Sequence, residues 1–375
     1  MTLRFGAFVS PLHPPGEDPT LSLDRDLELV ERLDRLGAAE YWIGEHHSGG
    51  WGTVLSPELF IATAAERTRH IRIGTGVVSL PYHNPYMVAS RFVQLDHLTR
   101  GRAMFGMGAG SSPADAYMLG IDPSQTRRMT AESLRAVHHL MTSDEPLTME
   151  TDWFSLHGAS LQLRPYSSNP ELAISSARTP NSMTLAGQYG LSPISFGAPI
   201  PGMPRVDLAA QWRYAEEGAA AAAKEISRST WRITMPLHVA ETTQQAMEDV
   251  REGLDSVAHG YFRDTLGLPV NLAGRKIEDI VADGDAIVGS VDDCVIAIQR
   301  LLEETGGFGT LLVTVRDWTS WEKTLRSFDL LARYVAPHFT GSTARVHRSG
   351  DWVKSKQAYF VAQAKAAAEK AATTA

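Results

Sequence analysis

A (β/α)8 barrel of the α/β class, with insertions, is the fold this sequence predicts. Strand-like and helix-like segments alternate eight times between residues 3 and 335. The strand candidates are short apolar runs that read as buried. No Gly-x-Gly-x-x-Gly follows the first strand, which sets aside the runner-up, a doubly wound open sheet.

Leu3-Arg4-Phe5-Gly6-Ala7-Phe8-Val9 is the first strand, and the Pro- and Gly-rich stretch from Ser10 to Pro19 is a loop long enough to carry function. Leu23, Leu27, Val30 and Leu33 recur at helical spacing over residues 22–36, and Gly37 stands where a C-cap is expected. Residues 40–44 form the second strand and end abruptly in Glu45-His46-His47. Ser56-Pro57 opens a helix to about Arg69, with Pro57 at the first helical position. Residues 71–78 predict the third strand, 85–98 the third helix and 102–107 the fourth strand, which runs into a loop with Gly108, Gly110, Ser111 and Ser112. A helix over 126–142 follows.

Residues 146–165 break the rhythm: Leu147-Thr148-Met149 and Leu161-Gln162-Leu163 predict a short inserted hairpin. A strand at 171–175, a helix at 179–189, a strand at 192–196, an Ala-rich helix at 205–225 and a strand at 231–239 restore the alternation. Helices between 240 and 305 surround a stretch, Gly267 to Asp285, too long for an ordinary connection, which predicts an active-site or interface insertion. Gly309 to Val315 is the eighth strand and Trp321 to Val335 the eighth helix. Residues 1–339 are assigned to the barrel. Residues 340–375, polar and then Ala/Lys-rich, form a C-terminal arm placed to dock on a partner subunit.

Composition narrows the function classes. A content of 43% hydrophobic and 21% charged residues fits a soluble globular protein. A formal charge of −8 gives no reason to expect nucleic acid or an anionic membrane as partner. The single cysteine, Cys294, excludes an intrachain disulfide framework and fits a reducing compartment. No apolar run reaches a membrane span, and the N-terminus reads as a strand rather than a signal peptide, so a cytoplasmic location is expected.

The strand ends carry the chemistry, as the C-terminal face of such a barrel does. His46 and His47 sit at a strand-to-loop junction, where at most one ring points into the mouth. Such a histidine serves either structure or proton transfer. Glu45 either orients an imidazole or is solvated in the loop. A metal is disfavoured, because no third ligand stands at a suitable spacing. Gly74 and Gly76 inside a strand pattern mark a bulge at a ligand or small residues packing in the core. Gly106, Gly108 and Gly110 leave strand-end N–H groups free. Ser175-Ser176-Ala177-Arg178-Thr179 opens a helix with hydroxyls and a guanidinium, which makes either a phosphate cradle or a plain N-cap. Arg127-Arg128 reads as a surface pair at a helix start.

Taken in order, several of these stretches resemble the bacterial luciferase-like family of flavin-dependent monooxygenases. They are Trp42-Ile43-Gly44-Glu45-His46-His47, Ile73-Gly74-Thr75-Gly76-Val77-Val78-Ser79-Leu80-Pro81 and Asn84-Pro85. Leu95-Asp96-His97-Leu98-Thr99-Arg100-Gly101-Arg102, Phe105-Gly106-Met107-Gly108 and Leu185-Ala186-Gly187-Gln188-Tyr189-Gly190 continue the match, so it covers residues 3–338. Tyr82-His83-Asn84-Pro85, Met118-Leu119-Gly120-Ile121-Asp122-Pro123, residues 277–284 and the arm after Pro337 are most similar to the limonene monooxygenase group.

The resemblance implies a barrel whose mouth takes reduced FMN from a separate NAD(P)H-dependent flavin reductase, with FAD as a second possibility and F420 as a less favoured one. It places His46 at the family's catalytic histidine, with Glu45 and His47 as supporting candidates. It places Gly76 and Val77 at a flavin-facing bulge with a non-proline cis peptide. Met107, Gly108 and Ser176 fall on flavin-contacting stretches, and Thr179 and Ser182 at phosphate-contacting hydroxyls. Gly108 replaces the reactive cysteine of luciferases and Ala109 a phosphate-binding arginine, so Arg178 or Arg128 is expected to supply the missing charge. Unchanged flavin affinity in Arg178→Ala and Arg128→Ala would sink that expectation.

The implied reaction joins reduced flavin to O2 at C4a, giving a (hydro)peroxide that His46 hydrogen-bonds or protonates. The implied substrate is small and hydrophobic (a monoterpene or other alkene, a ketone or an aldehyde), selected by the loops at 10–19 and 260–290. A homodimer or higher homo-oligomer is expected. The alternatives are an F420-dependent oxidoreductase of the same barrel and a catalytically silent flavin-binding relative.

Overall fold

The computed structural model describes residues 2–110, 112–199, 204–268 and 275–374. Eight parallel strands form the barrel: β1 Arg4–Val9, β2 Glu40–Ile43, β3 Arg72–Thr75, β4 Ala103–Gly108, β5 Glu171–Ser176, β6 Ser192–Phe196, β7 Arg232–Val239 and β8 Thr310–Val315. Each pairs in parallel with the next, and β8 returns to β1 in the register Arg4↔Thr310 to Val9↔Val315, which closes the ring. The helices outside are α1 Pro19–Leu36, α2 Pro57–Arg67, α3 Pro85–Thr99, α4 Thr126–Thr142, α5 Pro180–Tyr189, α6 Leu208–Ala221, α7 Val291–Thr305 and α8 Trp321–Leu330. Local chemistry sets their ends. The Asp18 carboxylate accepts the Thr20 and Leu21 N–H groups at the start of α1, and Gly37 closes that helix with φ 77°.

Strand periodicity divides each strand between lumen and helices. In β2, Tyr41 and Ile43 join the helix-facing core, while Glu40 and Trp42 face inward. The lumen is filled by Phe8, Trp42, Met104, Ala173, Ile194 and Leu312, so it is a packed core rather than a pore. Beneath them Arg232 is 1% exposed and holds Glu40 and Glu171, closing the N-terminal end of the barrel.

The Gly76–Val77 peptide is cis, as the resemblance implies, and it splits the strand expected over 71–78: β3 stops at Thr75, and Val78–Ser79 re-pairs with β4 opposite Met107 and Gly108. Two other segments differ from expectation. The hairpin pairs Leu147–Glu150 with Ser155–Ala159, not with 161–163. Thr151 fixes a tight turn there, its hydroxyl accepting the Trp153 and Phe154 N–H groups and donating to the Phe154 carbonyl. That turn brings 155–159 opposite the first strand, and Leu163 is left exposed. The insertion after β7 comprises the helix Thr243–Ser256, a π-helical run Val257–Thr265, the helix Ile277–Ala282 and a strand Ile287–Gly289 that pairs with the end of β7. Part of the expected 267–285 loop, residues 269–274, lies outside the described residues, as does Ser111.

The C-terminal arm is helical over Ala336–Thr340, Ala344–Ser355 and Gln357–Thr374, with Val346, Trp352, Tyr359 and Val361 exposed. No helix of the described residues is long and apolar enough to cross a membrane.

The polar base of the barrel gives a pH prediction. Burial alone would raise the pKa of Glu171, but the Arg232 and Arg72 charges, with hydrogen bonds from Arg72 and Ser192, outweigh it and pull the value from 4.5 to about 2. A carboxylate depressed in the folded state contributes stability above its unfolded pKa and loses it as pH falls toward the folded one. Stability is therefore expected to fall between pH 4.5 and about 2, by up to about 3 kcal/mol from this group. Urea unfolding across that range checks it, and Glu171→Gln is expected to flatten the slope.

Candidate active site at the barrel mouth

The C-terminal ends of β2 to β5 build the site. Gly44 and His46 continue the inward alternation of Glu40 and Trp42, so His46 emerges on the lumen side. Its N–H donates to the Val54 carbonyl at 3.1 Å, and the loop packs so closely that a Cβ on Gly52 would lie 2.3 Å from that of His46. Among the described residues neither ring nitrogen of His46 has a hydrogen-bond partner. Burial pushes its pKa below 6.5, partly offset by the charges of Asp115 and Glu45, so the ring is neutral at neutral pH.

Glu45 points the other way and does not orient His46. Its Oε1 meets His83 Nε2 at 2.6 Å and His47 Nε2 at 3.0 Å, while Oε2 accepts the Ser79 N–H at 2.6 Å. Burial would raise its pKa, but the His83 hydrogen bond and charge, the Ser79 N–H and His47 together hold the carboxyl below its ordinary range. Glu45 thereby ties the end of β2 to the strand that resumes after the cis peptide. Glu45→Ala is expected to cost about 1–3 kcal/mol, because it leaves the buried Ser79 N–H without an acceptor. Denaturant titration measures that loss. Among the described residues no group of three or more His, Cys, Asp and Glu is disposed to hold a metal.

Asp115 and His83 are site residues that sequence reasoning did not single out, and Ser175, expected only as a hydroxyl of the turn before α5, joins them. Asp115 is buried, accepts from the Ser48 hydroxyl and the His47 N–H, and faces Tyr82 and Tyr261. Burial, then the charges of Asp115 and Glu45, pushes the Tyr82 hydroxyl up to about 12, so it remains a donor. His83 lies in the quoted Tyr82-His83-Asn84-Pro85 segment, but its bond to Glu45 joins residues 38 apart and has no local signal. Ser175 was legible from periodicity: Glu171 and Ala173 face the lumen, so Ser175 does and Ser176 does not.

The other expected cofactor residues fall as follows. Gly76 sits against Phe8 and Trp42, where a Cβ would meet their side chains at 3.0 and 3.1 Å. At Gly108 a Cβ would lie 2.6 Å from Val77 Cγ2 and 2.8 Å from Ser175 Oγ, so a cysteine there would displace both. Met107 is wholly buried in the helix-facing core, and Ser176 is wholly buried with its hydroxyl unpartnered, so neither side chain faces the lumen. Thr179 N-caps α5 without a side-chain capping bond, and among the described residues its hydroxyl and the first-turn N–H groups have no partner, beside half-buried Ser182 and exposed Arg178. Arg128 is exposed and already engaged, bidentate with Asp152 at 2.8 Å and bonded to Glu132 at 3.0 Å. It lines a cleft of about 460 Å³ with Tyr82, His83, Trp153 and Phe154.

A roof crosses the mouth. Trp51 Nε1 donates to Thr265 Oγ1 at 3.1 Å, and the Trp51 and Tyr261 rings meet edge-on at 5.8 Å, so the 257–265 segment lies over the loop that carries His46. The arrangement fits a flavin. The hydroxyls and N–H groups at the start of α5 suit a phosphate, and the absence of a side chain at Gly108 lets Val77 and Ser175 close in on the backbone at this strand end.

Comparison with known proteins agrees. Residues 3–308 match the family model described as luciferase-like monooxygenase. The chain is 56% identical over 357 residues to the 4-hydroxyprotoasukamycin monooxygenase of Streptomyces nodosus subsp. asukaensis, covering 94% of this chain and 96% of that one. It is 45% identical over 339 residues to the limonene 1,2-monooxygenase of Rhodococcus erythropolis, covering 90% and 87%. Among solved structures, the oxygenating constituent of 3,6-diketocamphane monooxygenase from Pseudomonas putida, a type II Baeyer-Villiger enzyme in complex with FMN, superposes with a TM-score of 0.76. That protein is 26% identical and is matched over 90% of this chain and 99% of its own. The chain belongs to the luciferase-like monooxygenase family and is an oxygen-incorporating oxidoreductase.

Proposed function

We propose that this protein is the oxygenase component of a two-component system, taking reduced FMN from a separate NAD(P)H-dependent flavin reductase and using O2 to oxygenate a small hydrophobic substrate. The observation that carries the reading is His46: a neutral imidazole at the barrel mouth with both ring nitrogens unengaged. Reduced FMN, when bound, supplies the two electrons that activate O2. Thr179, Ser182 and the α5 N–H groups hold its phosphate, with Arg178 adjacent to add charge. The cis peptide at Gly76–Val77 and the small Gly108 shape the surface against the ring. His46 holds or moves a proton at the reacting oxygen, and the Trp51–Tyr261 roof excludes water. Glu45 and His47 act through position, fixing the loop on which His46 stands.

The relatives named for limonene and diketocamphane support an alkene or a ketone as the oxidised group, with aldehydes in the same range. An oxygen-uptake assay with a flavin reductase, FMN or FAD, and a panel of terpenes, cyclic ketones and long aldehydes tests the reading. Reduction of F420 with no O2 consumption would overturn it. The exposed apolar residues of the arm support a homodimer, and gel filtration of the full chain against one ending at residue 339 tests the arm's part in it.

A further inference from the structure

The mouth carries a cation that no described residue neutralises. Arg316 directly follows β8, in which Thr310 reaches Glu40 inside the barrel and Leu312 belongs to the lumen cluster. The alternation Thr310, Leu312, Thr314, Arg316 therefore brings this side chain out on the lumen side at the open end. Among the described residues its guanidinium has no hydrogen bond and no ion pair; its neighbour is the Phe262 ring, 5.8 Å from Cζ to the centroid. Phe262 stands in the 257–265 roof next to Tyr261, which meets Trp51. Burial lowers the Arg316 pKa to about 10 with no carboxylate to oppose it, so the group is charged at neutral pH without compensation.

The other lumen arginines behave differently. Arg232 and Arg72 share Glu171, and Arg4 lies at 4.0 Å from Glu40. The carboxylates of the mouth, Glu45 and Asp115, are each satisfied by other donors. A half-buried cation left beside an aromatic ring is costly unless a ligand brings the opposite charge. Arginine also offers a planar fork that suits an oxyanion, while the ring suits an apolar or aromatic skeleton. Position separates this site from the phosphate cradle. In the closed strand order β8 stands three strands from β5, across the barrel from Thr179 and Ser182.

We propose that Arg316 and Phe262 form a substrate subsite for an acidic oxygen (a carboxylate, phenolate or enolate) carried on an apolar or aromatic skeleton. This rests on the oxygenase reading only in calling the occupant a substrate; the binding preference stands apart from turnover.

The test is calorimetric titration of the full-length protein, with and without FMN, using benzoate and cyclohexanecarboxylate against benzamide and cyclohexanecarboxamide. The carboxylates are expected to bind about tenfold or more tightly than the amides, as one charge-assisted pair provides. Arg316→Gln is expected to abolish that preference while leaving amide affinity within about twofold, and Arg316→Lys to keep part of it. Phe262→Leu is expected to weaken both probe classes. Equal affinity for acid and amide in the unaltered protein, or a preference that survives Arg316→Gln, overturns the proposal. Weaker binding of FMN but not riboflavin in Arg316→Gln would also overturn it, since Arg316 would then hold the flavin phosphate. Equally weaker binding of FMN and riboflavin, with the acid preference unchanged, would likewise overturn it and assign Arg316 to the flavin ring. Absence of O2 uptake would remove the oxygenase reading without altering these affinities.

Discussion

Replacing His46 by alanine is expected to leave FMN affinity within about threefold of the unaltered protein and to lower product formation by about 10²- to 10⁴-fold. The O2 consumed should appear as H2O2. The expectation follows from what His46 does not do. Its ring nitrogens make no bond to the described protein, so their removal breaks no hydrogen bond among the described residues. The hydroxyls proposed to hold the flavin phosphate, Thr179 and Ser182, lie on a different strand end, at the start of α5. On the proposed reading only a proton-handling role at the reacting oxygen is lost. The pH profile supplies a second readout. A base whose pKa is lowered remains neutral to a more acid pH than an ordinary histidine, so coupling should stay flat as pH falls through 6.5 and drop only at more acid pH, where His46 takes up a proton. In His46→Ala that acid limb should vanish along with the product. Full coupling in the variant would remove His46 from the mechanism. Product yield and peroxide, measured in the same reductase-linked assay, decide the matter.

The barrel was legible because its signals are local and repeated. Apolar runs alternate with helical spacing at every unit, and strong punctuation such as Pro57 and Gly37 sets element ends. The split third strand was legible only through family resemblance, since glycines at 74 and 76 fit a bulge and a packed core equally well. In the structure both readings hold, at different residues. A Cβ on Gly74 would lie 2.4 Å from the Trp42 ring, which makes that glycine a matter of core packing, whereas Gly76 begins the cis peptide.

Side-chain direction separates neighbours within the expected site. The side chains of Ser176 and Met107 face away from the lumen, one residue from lumen-facing Ser175 and Gly108. Period-two counting from Glu171 in β5 and from Met104 in β4 separates them. Pairings across the fold had no such signal. Glu45 finds His83 and Ser79, Asp115 finds Ser48, and Arg128 is taken up by Asp152 on the hairpin. Each of these bonds joins segments far apart in the chain, and no spacing rule reports them.

The largest stability effect is expected at the opposite end of the barrel, in Arg232→Met. Arg232 Nε and Nη2 bond both oxygens of Glu40 at 2.6 and 2.9 Å, and Nη2 also reaches Glu171 at 2.6 Å. Its guanidinium lies over the Trp42 ring at 5.0 Å, and Trp42 Nε1 in turn donates to Glu40 at 2.9 Å. Methionine would fill much of the volume but strand the Glu40 carboxylate, which is 2% exposed, without its main partner. Breaking a buried pair from one side costs about 3–5 kcal/mol, whereas replacing both sides by apolar residues is often close to neutral. Arg232→Met alone should therefore shift the urea midpoint strongly downward, and Arg232→Met with Glu40→Leu should recover much of the loss. Recovery would show that the penalty is the uncompensated charge rather than lost packing. A double variant no better than the single one would assign it to the stack on Trp42 instead. The same two outcomes bear on function. Trp42 stands between this ionic base and the Gly76 bulge, where its Cβ would be 3.1 Å from a Cβ at that glycine. The double variant removes both the stack on Trp42 and the acceptor of its Nε1, so flavin binding that stays weak while stability recovers would show that the base positions Trp42 for the mouth.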